Sequence, residues 1–216
     1  MKKSIFLIFL TLSLSSCSVN QTDNESEHNK SEVIQDLDED EKNELERLAK
    51  HKDNGVYHYT TYNKDNGTVI SEEVYGESDD YKFRIDNNEV YQFRDKKSST
   101  IANSKNNLYY ENILSDNSSE DDDSYSNFYN DLYQKGKFDL VSNSNYITLE
   151  FDNGDYRKYD ANSLNLIEET FSSEGMSLIK ILESHDSDVE KSYDKYFHVI
   201  ENMTQTDDVG KVTENE

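Results

Sequence analysis

The chain has 216 residues, with Lys+Arg 22 against Asp+Glu 46 and a formal net charge of -24. Such a field repels phosphate backbones and anionic headgroups, which excludes nucleic acid as a partner and removes any electrostatic hold on a membrane surface. Hydrophobic residues make up only 33%, a disorder-leaning figure, but 16 Tyr and 9 Phe supply rings large enough to organise a modest core.

Pro and Trp are absent while Asn, Lys, Tyr and Ile abound, the signature of an AT-rich genome and hence of a low-GC Gram-positive bacterium. The single cysteine, Cys17, rules out an intrachain disulfide.

Lys2 and Lys3 precede an apolar run from Ile5 to Leu14. That run falls short of the roughly 20 residues needed to span a bilayer and has signal-peptide length. It ends in Leu14-Ser15-Ser16-Cys17, which resembles the lipobox of bacterial lipoproteins: an aliphatic residue, two small residues, then Cys. The resemblance implies that residues 1–16 are a cleaved signal peptide and that the Cys17 thiol receives diacylglycerol. It further implies a protein anchored on the extracytoplasmic face of the cell membrane, on the outer surface of a Gram-positive cell. Two acyl chains at about 0.8 kcal/mol per buried methylene make a stable anchor. Loss of Lys2 and Lys3 with the signal makes the mature chain more acidic still, so it should stand off the membrane on its lipid. The tether, residues 17–32, is polar and aperiodic. At that length a flexible chain reaches roughly 20 Å.

A single domain is expected over residues 33–203. Val33, Ile34 and Leu37, then Leu45, Leu48 and Ala49, repeat a helical spacing. Ser31 or Asp36 can cap the start, and Asp53-Asn54-Gly55 is a stop, giving a helix over about 38–52 with an acidic first turn. After Gly55 the pattern turns to strands: 56–62, 68–75, 81–85, 89–94, 98–102 and 108–113. Asn66-Gly67 and Asp86-Asn87-Asn88 provide turns between them. Beyond the polar run 115–123, Tyr125, Phe128, Tyr129, Leu132 and Tyr133 form an aromatic stripe on a helix over 124–135 closed by Gly136. Strands follow at 138–141, 145–151, 155–159, 164–172 and 176–183. Residues 189–203 fit either a helix or a strand, and 204–216 read as a flexible acidic tail.

The passage Tyr156-Arg157-Lys158-Tyr159-Asp160, Ala161-Asn162-Ser163-Leu164, a strand, a Ser-Ser-Glu-Gly turn and another strand resembles lipoprotein-carrier-like proteins. So does the earlier rhythm of paired strands before the aromatic strand Tyr81–Ile85. The resemblance, over about residues 38–185, implies a half-open antiparallel barrel closed by helices, with an apolar cavity for acyl chains or peptides. The expected fold is therefore mainly β (α+β): an antiparallel sheet curled as a half-open barrel, with an N-terminal and an inserted helix. Phe83, Ile85, Phe93, Leu149 and Phe151 are the expected cavity lining.

No catalytic pattern is present. His28, His51, His58, His185 and His198 form no HExxH, and there is no GxSxG, P-loop or GxGxxG, so neither zinc nor any other cofactor is expected. Asp116, Asn117, Glu120, Asp121, Asp122 and Asp123 offer oxygens, but without the ordered spacing or glycine of a calcium loop they read as a solvated run. The expectation is a non-enzymatic, membrane-anchored lipoprotein. It would bind a lipid or lipopeptide or sense the envelope. The alternative is a surface protein that engages an envelope or host protein through an acidic, Tyr-rich face.

Overall fold

Asp38 opens the first long helix, α1 (Glu39–Ala49), in a reciprocal cap. Its carboxylate accepts from the N–H groups of Asp40 and Glu41, and the Glu41 carboxylate accepts from the Asp38 N–H. Three of the four N–H groups that a helix start leaves unbonded are satisfied in this way. Asp38→Ala is expected to cost about 1 kcal/mol, read as a lower urea midpoint with an unchanged slope. In this computed structural model the described residues are 29–52, 54–114 and 124–213. The stretch expected as signal peptide, Cys17, most of the expected tether and the acidic run 115–123 lie outside them. Residues 29–34 are helical, within the stretch expected as tether.

Six strands follow α1 as an antiparallel meander: β1 (Gly55–Asn63), β2 (Val69–Glu77), β3 (Tyr81–Asp86), β4 (Val90–Asp95), β5 (Ser98–Asn103) and β6 (Leu108–Ile113). The inserted helix α2 (Ser124–Lys135) leads to a second meander: β7 (Phe138–Ser142), β8 (Tyr146–Phe151), β9 (Tyr156–Asp160), β10 (Leu166–Ser173) and β11 (Met176–Asp186). β11 returns to pair with β1 along eight residues, which fuses the two meanders into one sheet. The segment open to either reading is α3 (Val189–Phe197), continued by a 3-10 turn, His198–Asn202. The residues expected as a flexible tail instead return to the sheet. Thr204 and Gln205 form β12, parallel to β6, and α4 (Val209–Thr213) buries Val212. Val212 is the apolar anchor that an acidic composition hides.

The sheet order is β12-β6-β5-β4-β3-β2-β1-β11-β10-β9-β8-β7, open at both ends and not closed into a barrel. Its two cores lie on opposite faces. Cross-strand partners share a face, so Val56, Gly76, Phe83, Phe93 and Thr100 form one row on what we term the first face. α3 packs over that row. Through β1 the other parity runs Thr61, Lys180, Glu169, Arg157, Leu149 and Leu140, on the second face. There α1 and α2 bury Leu45, Leu48, Tyr129 and Leu132 against Leu149 and Phe151.

The helices are thus exchanged between meanders: those flanking the first meander in sequence cover the second, and α3, which follows the second meander, covers the first. Gly76 marks how closely the first core is packed, since a Cβ there would overlap the Phe83 ring.

Candidate interaction surface

The five expected cavity residues are all buried, each at most 5% exposed, but they are not brought together. Phe83, Ile85 and Phe93 lie under α3, where Phe93 meets Tyr193 at 5.4 Å and Phe197 at 5.2 Å, both edge-to-face. Leu149 and Phe151 lie on the opposite face under α1 and α2, with Phe151 edge-on to Phe138 at 5.8 Å. Each group is covered by helix side chains of its own core. The residue expected to be lipidated, Cys17, is outside the described residues.

Among the described residues each face is covered over only part of its width, which leaves open sheet. On the first face the open part lies over β7–β11. Rows through Val141, Thr148 and Lys158, and through Asp139, Glu150 and Tyr156, place aromatic, aliphatic and acidic side chains side by side. Val141 is 49% exposed and Tyr146 38%. The Lys158 ammonium sits 4.1 Å from the Tyr146 ring centroid, a cation–π contact. The Tyr156 hydroxyl donates to Glu168. Burial, then the hydrogen bond and charge of Glu168, push the phenol up to about 12, so it stays a neutral donor.

On the second face the open part lies over β2–β6, where charge replaces apolar contact. Lys180 donates to Glu73 at 2.6 Å and lies 4.4 Å from the Tyr59 ring centroid. Arg84 reaches Glu73 at 3.3 Å and Asp86 at 3.0 Å. Burial raises the Asp86 carboxyl above its ordinary value, and Arg84 offsets part of that. Where the same face passes under α2, Arg157 pairs with Glu169 at 2.7 Å and with Asp131, and Lys135 reaches Glu169 at 3.2 Å.

The described histidines are dispersed. His51 bonds Asn165 at 3.2 Å, His198 bonds Glu201 at 2.7 Å, and His185 packs on Tyr57 at 4.8 Å. His58 has its pKa lowered by burial and then by the Lys195 charge, so it is held neutral. Among the described residues no three His, Cys, Asp or Glu side chains are placed to hold a metal ion. Among the same residues no helix is long and apolar enough to cross a membrane.

The acidic, Tyr-rich face expected as the alternative could not be assigned to residues from sequence, because every alternating strand has two faces and periodicity does not say which one a helix will cover. A signal did exist in 146–158. Tyr146, Thr148 and Glu150 alternate with the apolar Ile147, Leu149 and Phe151, and their in-register neighbours Tyr156 and Lys158 are equally polar. No family model matches the chain, and comparison with curated proteins gives no match.

Proposed function

We propose that the chain is a non-enzymatic lipoprotein, held by a lipid on Cys17 at the extracytoplasmic face of the cell membrane, that binds a polypeptide partner through its open sheet surface. The observation that carries this reading is the division of labour within each strand. One parity is consumed in two helix-covered cores, and the other presents tyrosines, aliphatics and carboxylates over several strands at once. Tyrosine supplies apolar area with a polar tip at small entropic loss, which suits a wet recognition surface. The net charge of -24 draws cationic partners and turns away anionic ones.

The competing reading, an acyl-chain carrier, needs inward rings free to line a lumen. Here Phe83 and Phe93 already pack on α3, and Leu149 and Phe151 on α1 and α2.

Native mass spectrometry of the mature chain with Cys17→Ser, before and after organic extraction, separates the two. An apo mass that persists after incubation with membrane lipids is the expected result. An extractable companion of lipid size would overturn the polypeptide reading in favour of a carrier. A photo-crosslinking residue at position 146 in the anchored protein is expected to capture a polypeptide on cells, and capture of lipid alone would count against it.

A further inference from the structure

The chain treats its two sheet edges differently. At one, β12 lies against β6, and the side-chain amides of Asn103 and Asn106 donate to the carbonyls of Val212 and Lys211, which clamps α4 over that end. At the other, β7 pairs with β8 alone. The Asn143 N–H donates to the Tyr146 carbonyl at 2.9 Å, and the Asp152 N–H donates to the Lys137 carbonyl at 3.1 Å. The odd-numbered residues of β7 therefore turn their peptide groups toward β8. Antiparallel alternation turns those of Phe138, Leu140 and Ser142 outward.

Among the described residues, three of the usual guards of an edge strand are missing. The β7–β8 register has no bulge, the chain contains no Pro, and Phe138-Asp139-Leu140-Val141-Ser142 contains no Lys. The exposed side chains here are acidic and apolar. Asp139 lies in register with Glu150 on the same face as Val141, and Asp152 follows. The adjacent cation, Lys137, is held by Asp36 at 3.2 Å.

We infer that the β7 edge accepts an extended, cationic polypeptide segment as an added strand. Its backbone would bond to Phe138, Leu140 and Ser142, with basic side chains over Asp139 and Glu150 and an apolar one against Val141. The inference rests on the polypeptide-binding reading above and names the site and the partner's chemistry. A second copy is the wrong occupant, because edge-to-edge pairing would set Asp139 and Glu150 of one molecule beside those of the other, on two chains that each carry -24.

The test uses the mature chain with Cys17→Ser, titrated with the eight-residue peptide Lys-Thr-Val-Thr-Lys-Thr-Val-Thr, whose Lys and Val share one face of the strand, and with its Glu/Val counterpart as control. Amide hydrogen exchange is expected to slow at least tenfold at Phe138, Leu140 and Ser142 with the Lys/Val peptide only, and the affinity is expected to fall as salt rises. Ser142→Pro removes an outward N–H that no ladder bond uses. It should keep the melting temperature and lower the affinity at least tenfold.

Protection elsewhere, equal binding of the Glu/Val peptide, or unchanged affinity in Ser142→Pro would overturn the inference. So would a peptide-free dimer that Ser142→Pro abolishes, which would assign the edge to a second copy. Polypeptide crosslinks from position 146 without protection along β7 would leave the polypeptide-binding reading standing and overturn only the edge as its site.

Discussion

Replacing Phe93 with Ala is expected to destabilise the whole domain by about 4 kcal/mol, the size expected for emptying a well-packed aromatic site. Phe93 is 2% exposed and lies among Phe83 at 6.3 Å, Tyr91 at 6.3 Å, Tyr193 at 5.4 Å and Phe197 at 5.2 Å. Removing the ring forfeits its transfer free energy and leaves these aromatics around a void. Tyr193 and Phe197 stack on each other at 5.5 Å within α3, so they cannot collapse into the gap without leaving that stack.

A domain stable by 5–15 kcal/mol loses a large fraction of its margin to such a change. The informative part is where the loss appears. β1 and β11 share eight paired residues, so the two cores cannot separate without breaking the longest ladder joining the meanders. One unfolding transition is therefore expected in wild type and variant alike, shifted to lower urea with an unchanged slope. Leu149→Ala, on the other face at 0% exposure, should shift the same transition by about 2–5 kcal/mol. Far-ultraviolet circular dichroism and tyrosine fluorescence measured together check this. Two separated transitions, with Phe93→Ala moving only one, would mean that the meanders fold as independent units.

How much of this was legible depends on the scale at which the residues speak. Turn chemistry is local. Asn66-Gly67 and Asp86-Asn87-Asn88 fall where chain reversals occur, with Gly67 at φ 69 and Asn87 and Asn88 at φ 55, so strand positions could be read to within a few residues. The stripe on α2 is local too, and Ser124–Lys135 matched the expected limits. Pairing between strands distant in sequence is not local. Nothing in Val56–Tyr62 says that β11 rather than a later hairpin will be its second neighbour.

The covered face is harder still. Val56 and Tyr57 are both buried apolar residues in consecutive positions, and only the arrival of α3 on one side separates their roles. That is why Phe83 and Leu149 were read as neighbours in one cavity when they belong to cores on opposite faces. Val212 was passed over for a related reason. Two apolar residues, Val209 and Val212, are too few to set a period in a short acidic tail, and the partner that fixes the Val212 backbone, the Asn103 amide bonded to its carbonyl at 3.0 Å, lies over a hundred residues away.

Arg157→Met is expected to produce the largest electrostatic effect in the molecule, about 3 kcal/mol at neutral pH. Arg157 and Glu169 are each 14% exposed, and the guanidinium binds Glu169 at 2.7 Å and Asp131 as well. Burial works against ionisation of Glu169, but Arg157 and then Lys135 overcome it and hold the carboxyl below its ordinary 4.5. In the wild type this network therefore contributes stability that is fully present above pH 4.5 and is lost as pH falls through the lowered folded value.

In Arg157→Met, Lys135 remains as the cation on Glu169 among the described residues. Burial then dominates, and the folded carboxyl takes a proton more readily than the unfolded one. Its contribution now has the opposite slope, rising as pH falls through the raised folded value. The stability gap between variant and wild type should therefore be widest at pH 7.5 and narrow steadily to about pH 4.5, as read from urea midpoints across that range. Adding Glu169→Gln should recover most of the loss at neutral pH and flatten the pH dependence, because the uncompensated buried charge is gone. A gap independent of pH, unrelieved by Glu169→Gln, would instead assign the loss to the packing of the arginine stem beneath α2.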